Sequence, residues 1–273
     1  MSRFSECFFL VFAQLAVGGA VGLAVPPFRT LDRGFYRSSG GIFAGFALAF
    51  AVTNGVLSWQ VGGLSGRAGV ELALWVAFAA LFVWYTALLW GERALLRARV
   101  FTATLLVGLV ALVVSAETFV PASFTGPIRW LYPLPFITAA VSLGAVATGM
   151  LLGHWYLIDL GLSIVPLRRL FNYFVVVVVL HLVVLALTVA VMALAPAPGP
   201  AAVHALWSEH GALLAARILL GPIAALALGY MIHRTLQIPQ TMAATGLFYI
   251  AILFVMVGEL LGRLILFRTS LPL

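Results

Sequence analysis

Residues 170 to 194 read LFNYFVVVVVLHLVVLALTVAVMAL, an apolar run without a single Asp, Glu, Lys or Arg. Coiled as an α-helix at 1.5 Å per residue, such a run reaches across a hydrocarbon core of about 30 Å. A transmembrane β-strand needs only about ten residues and alternates in polarity. This stretch is too long and too evenly apolar for that, so it is read as a membrane-spanning helix.

The same pattern recurs along the chain. Apolar segments fall at Cys7–Val25, Gly41–Ser58, Val70–Trp90, Val100–Val120, Leu134–Ile158, Leu170–Leu194, Ala212–Ile232 and Thr241–Phe267. They predict an all-α, polytopic bundle of about eight transmembrane helices, with residues 1–273 forming a single membrane domain. Proline punctuates the connectors. Pro26 and Pro27 close the first segment, Pro133 and Pro135 open the fifth, residues 195–200 (APAPGP) separate the sixth from the seventh, and Pro239 lies before the eighth. Trp59, Trp90, Trp130, Tyr132, Trp155 and Tyr156 sit near segment ends, where amphipathic rings favour the headgroup level.

Composition agrees. The chain is 64% hydrophobic and 8% charged, with a mean hydropathy of +1.16. A soluble body of this size would lack the polar residues to cover its surface. The net charge of +7 comes from arginine alone, since the sequence contains no Lys. The arginines are spread through connectors rather than gathered on one face, which argues against a nucleic-acid partner and for headgroup contacts and topology control. Without Lys there is no amine for a retinal Schiff base. The single cysteine, Cys7, allows no internal disulfide, no covalent c-type haem attachment and no cysteine metal cluster. No metal site is expected.

Nine arginines (Arg29, Arg33, Arg37, Arg93, Arg97, Arg99, Arg168, Arg169 and Arg234) follow the odd-numbered segments, and the other six lie on the opposite side. The positive-inside rule then places both termini outside, in the periplasm if the membrane is a bacterial inner membrane. The first segment shares features with a cleaved leader, Arg3 and the small residues of 18–24. Its length and Glu6 argue against that identity. Glycine pairs four apart (Gly18/Gly22, Gly41/Gly45, Gly149/Gly153, Gly258/Gly262) allow close backbone approach, within this bundle or to another subunit. Ala103-Thr104 before Glu117 is echoed by Ala244-Thr245 before Glu259, a faint sign of a four-plus-four repeat.

Function must be sought among polar groups inside the membrane, because no Gly-rich phosphate loop or Ser-His-Asp order is present. A charged side chain near the bilayer centre costs about 2.5–3.5 kcal/mol on insertion scales. Glu117, Arg217, Glu259 and Arg263 fall at similar depths near the outer face, with Arg217 less than about two turns inside the seventh segment. Glu259 and Arg263 are four residues apart on one helix face, suited to an ion pair. Glu117 has no partner in its own helix. Together the four form a candidate cluster for protons and a quinol headgroup, against the plainer possibility of a helix-internal pair with Arg217 reaching outward.

Histidine supplies a second set. His154, His181 and His233 are candidate axial ligands for a b-type haem. Depth works against pairing the first two: His181 lies about 16 Å into its helix and His154 about 6 Å from its inner end. His204 and His210 are placed in the outer loop. Residues 159–169 read as a lipid-headgroup anchor, and Gln14, Asn54 and Asn172 as interhelical hydrogen-bond partners.

These features favour a quinone- or haem-associated membrane subunit of an electron-transfer complex, working beside other membrane or periplasmic subunits. Its eight-helix architecture looks like that of the membrane subunits of polysulfide-reductase-type oxidoreductases, a likeness of architecture without a shared motif. A small-solute or ion transporter and a non-catalytic scaffold compete with it. Transport is disfavoured because no segment is plainly broken at mid-membrane, Pro222 lying near a helix start.

Overall fold

The computed structural model describes residues 3–60, 66–124, 126–159, 161–196, 198–238 and 240–273. Their helices are α1 (Arg3–Leu23), α2 (Arg33–Gln60), α3 (Gly66–Leu88), α4 (Ala94–Thr118), α5 (Pro133–Trp155), α6 (Val165–Leu194), α7 (Gly199–Ile218), α8 (Ala224–Gln237) and α9 (Thr241–Thr269). A 3₁₀ turn, Gly126–Leu131, precedes α5, and a π-helical segment, Leu219–Ile223, joins α7 to α8. Counted as spans, eight are long and apolar enough to cross a membrane, with α7, the π segment and α8 forming one of them. The chain is an all-α multi-spanning bundle.

Most helices outrun their apolar segments by one or two turns, because a helix continues past the hydrocarbon into the headgroup layer. Arg33 and Arg37, Arg97 and Arg99, and Arg168 and Arg169 therefore stand in the first two helical turns rather than in connectors. Pro133 and Pro166 occupy first-turn positions, where the missing N–H is an orphan anyway. α9 ends where Ser270 turns left-handed at φ 58° and donates its N–H to Leu266 O.

The seventh span departs most from expectation. It begins at Gly199 rather than near 212, so His204 and His210 are helical, with His210 at a kink (φ −129°, ψ 15°). Pro222 lies inside the π segment and not at a helix start. Having no N–H, Pro222 forfeits an intrahelical bond, and the wider π turn accommodates the loss. A break at this depth was not foreseen. Pro239 and Ala197 lie outside the described residues.

α5 is the central stave, buried along most of its surface, with small residues such as Ala139, Ala140, Gly144 and Gly149 at its contacts. α1 lies against it so closely that a Cβ on Gly18 would strike Ala140 O, and one on Gly144 would strike the Gly18 backbone. Gly22 meets Thr148, Gly149 meets Phe248 and Gly153 meets Thr245, so these glycines seat α1 and α9 on α5. Gly41 and Gly45 face open space on the outer side of α2. An aromatic seam of Phe50, Trp75, Phe78, Phe82, Tyr85 and Phe101 ties α2, α3 and α4.

Trp59, Trp90 and Trp130 are exposed at helix ends, as interfacial rings should be. Tyr132 and Tyr156 are instead buried, donating their hydroxyls to Ser270 O at 2.8 Å and Ser163 O at 2.6 Å.

Candidate functional site

The GELLGR sequence of α9 sets Glu259 and Arg263 one turn apart on the face turned toward α7. Their ion pair spans 3.6 Å, from Arg263 Nη2 to Glu259 Oε2. The other carboxylate oxygen, Oε1, accepts from Arg217 Nη2 of α7 at 2.9 Å. It also lies 3.0 Å from His181 Nε2 of α6. Arg217, Glu259 and Arg263 are 1%, 2% and 0% exposed. Arg217 does not reach outward to water; it is sealed inside the bundle.

His181 is the residue that depth counted along single helices left out. Thr138 of α5 donates its hydroxyl to Leu134 O at 3.0 Å, leaving a lone pair directed to His181 Nδ1 at 2.8 Å. Nε2 lies 2.7 Å from Arg217 Nη2, so each ring nitrogen has a polar partner inside the bundle. Nε2, Glu259 Oε1 and Arg217 Nη2 thus lie within 3.0 Å of one another.

The group is rich in charge and poor in partners. Two guanidinium groups face one carboxylate, and Arg217 Nε and Nη1, all three Arg263 nitrogens and Glu259 Oε2 are buried without a hydrogen-bond partner. The Arg263 guanidinium rests 4.5 Å over the Phe136 ring, a weaker form of compensation. Glycine makes room for Arg217: a Cβ would come within 2.9 Å of Nη1 at Gly221, 3.2 Å at Gly258, and 2.7 Å of Nε at Gly262. The Gly258/Gly262 pair thus cradles a guanidinium inside this chain.

Two cavities adjoin the group. A slot of about 330 Å³ between α6 and α7 is lined by Leu182, Leu185, Val189, Trp207, Leu214 and, as its one charged residue, Arg217. On the other side, a void of about 10 Å³ touches His181, Glu259, Pro222 and Ser142, whose hydroxyl also lacks a partner. That volume suits roughly one water molecule.

Other expected site residues lie elsewhere. Glu117 is not part of the cluster: it accepts from Arg129 of the 3₁₀ turn at 3.0 Å, in a partly exposed pair. Depth along a helix leaves its direction open, and Glu117 turns toward the rim. Both ring nitrogens of His181 have partners inside the bundle. His154 Nδ1 lies 3.3 Å from Tyr249 OH, and His233 stacks on Phe171 with Nε2 3.0 Å from Gln237. Among the described residues no three His, Cys, Asp or Glu side chains gather closely enough to hold a metal ion.

Sequence reasoning passed over Glu71. In α3 it accepts a short bond from Ser115 Oγ of α4, which in turn accepts from Trp75 Nε1 at 2.9 Å. The signal was present as an acid one residue inside an apolar segment. Comparison with protein-family models, with curated proteins and with solved structures finds no match to this chain.

Proposed function

We propose that this multi-spanning membrane protein is the quinone-binding membrane subunit of an electron-transfer complex, with Arg217, Glu259 and His181 as its proton-handling group. One observation carries the proposal: an apolar slot of about 330 Å³ has a buried, under-partnered arginine in its wall, beside a carboxylate and an imidazole. An isoprenoid tail suits the Leu and Val walls. Arg217 suits a quinone carbonyl oxygen, since a charged donor forms a stronger bond than a neutral one. A quinol oxidised there releases two protons and two electrons. Glu259 Oε1 and His181 Nε2 receive protons in turn, and the electrons pass to a redox group of a neighbouring subunit. On the positive-inside rule the arginine-rich ends face the cytoplasm and both termini the periplasm of a bacterial inner membrane.

Trp207 in the slot wall supplies the test. A short-chain ubiquinone titrated into the purified protein should quench tryptophan emission saturably. The quench should be reduced in Trp207→Phe, and the affinity about tenfold weaker in Arg217→Gln. Absence of saturable quenching sinks the proposal. Purification in mild detergent should bring down a haem or iron–sulfur subunit.

The helix break at Leu219–Ile223 favours a second function, transport of a small anion, because discontinuous helices mark transporter sites and the cluster holds surplus positive charge. Anion uptake by proteoliposomes containing this chain alone would select it.

A further inference from the structure

At the arginine-rich end of the bundle another cavity, of about 420 Å³, opens between the α1–α2 connector and the helices α3, α4 and α6. Pro26, Phe28, Tyr85 and Phe101 give it apolar walls, and Arg97 and Arg169 give it charge. Three of the neighbouring arginines have partners within the chain. Arg33 pairs with Glu92 at 2.9 Å, Arg37 donates to Leu89 O and lies over Trp90, and Arg168 donates to Leu236 O at 2.7 Å.

Arg97 is different. It is only 8% exposed, its guanidinium carbon lies 4.6 Å over the Phe28 ring, and its Nη1 is buried without a hydrogen-bond partner. Among the described residues no carboxylate forms a salt bridge with Arg97 or Arg169. Two cations thus line one cavity with no carboxylate in direct contact, the exposed Glu92 that pairs with Arg33 acting on Arg97 only from a distance, and a buried donor left unmade is costly. The first turn of α4, which supplies Ala94 and Ala98 to the same wall, adds the positive end of its dipole.

We propose that this cavity binds the phosphate diester of an anionic phospholipid, with Arg97 and Arg169 on the phosphate and the acyl chain along Phe28 and Phe101. A free phosphate would satisfy the arginines but leave the apolar walls wet. A lipid satisfies both, and basic pockets between membrane helices take such headgroups.

The test uses the full chain, stripped of lipid in a non-ionic detergent and followed by native mass spectrometry. It is offered phosphatidylglycerol, phosphatidylcholine with the same chains, or inorganic phosphate. Phosphatidylglycerol should bind about tenfold more tightly than phosphatidylcholine, and Arg97→Gln should abolish the preference. Arg97→Lys should restore part of it. Arg169→Gln changes an exposed residue and leaves the fold intact, so it separates lost binding from lost structure. It should weaken phosphatidylglycerol about fivefold. Equal binding of the two lipids, or selectivity unchanged in both glutamine variants, overturns the proposal. So does displacement of phosphatidylglycerol by millimolar phosphate, which would make the ligand a soluble anion.

Discussion

Replacing Glu259 by Gln removes the one carboxylate that faces Arg217 at 2.9 Å and Arg263 at 3.6 Å. Shape is preserved, and the Gln carbonyl can still accept from Arg217, so the change isolates charge. Breaking a buried pair by removing one partner costs about 3–5 kcal/mol, because the remaining charge is stranded. Here two cations are stranded, and the retained hydrogen bond pulls the figure toward the lower end. At about 2–4 °C per kcal/mol for a chain of this size, the melting temperature should fall by about 6–20 °C. The assay is thermal unfolding of the purified protein in micelles followed by circular dichroism, with an SDS titration in mixed micelles giving the free energies. Glu259→Gln combined with Arg217→Leu should be less destabilised than the sum of the single changes, with a coupling of about 1–3 kcal/mol. A single-variant loss below about 1 kcal/mol, with additive effects in the double variant, would refute the view that Glu259 neutralises this cluster.

Gly144→Val drives a side chain into the Gly18 backbone and should cost at least about 3 kcal/mol in the same titration, whereas Gly45→Val, on an open face, should change it by less than about 0.5 kcal/mol. Ser115→Ala strips Trp75 Nε1 and Glu71 of their shared partner and should cost about 1–3 kcal/mol, with a shift in the Trp75 emission. Glu117→Gln breaks only a partly exposed pair with Arg129; a loss above about 1 kcal/mol would contradict that placement. Arg33 holds the exposed Glu92 carboxyl below its ordinary range, so its contribution is present above the unfolded carboxylate value and disappears as pH falls through the depressed one. Wild type and Glu92→Gln should therefore converge in acid, and at neutral pH in high salt.

The spans were legible because hydropathy is a local property, and the proline punctuation is equally local. The cluster was half legible. Burying Arg217, Glu259 and Arg263 is costly enough that their presence in apolar segments advertises a shared site. His181 was grouped with the candidate haem ligands rather than with this cluster for a geometric reason. Starting the seventh span near residue 212 put Arg217 close to the surface, whereas the true start at Gly199 carries it down to the level of the mid-helix histidine. Glu117 erred the other way, since its depth matched but its direction around the helix axis did not. The echo between the fourth and eighth segments ends at the same place. Thr104 and Thr245 each bond the carbonyl four residues back, yet Glu259 is sealed in the core while Glu117 lies at the rim.

The seating of α1 on α5 bears on how the protein is made. Gln14 of α1 donates to Phe136 O, 122 positions later in the chain, and the glycine face of α1 is covered by a helix synthesised after three others. Until the ribosome has released α5, the first span stands in lipid with an amide side chain and a glycine groove uncovered. Release of the first four helices thus produces an open half-shell, and insertion of the fifth closes it. A nascent chain arrested before residue 133 should remain bound to the insertion machinery, and one arrested once α5 has cleared the ribosome should let go.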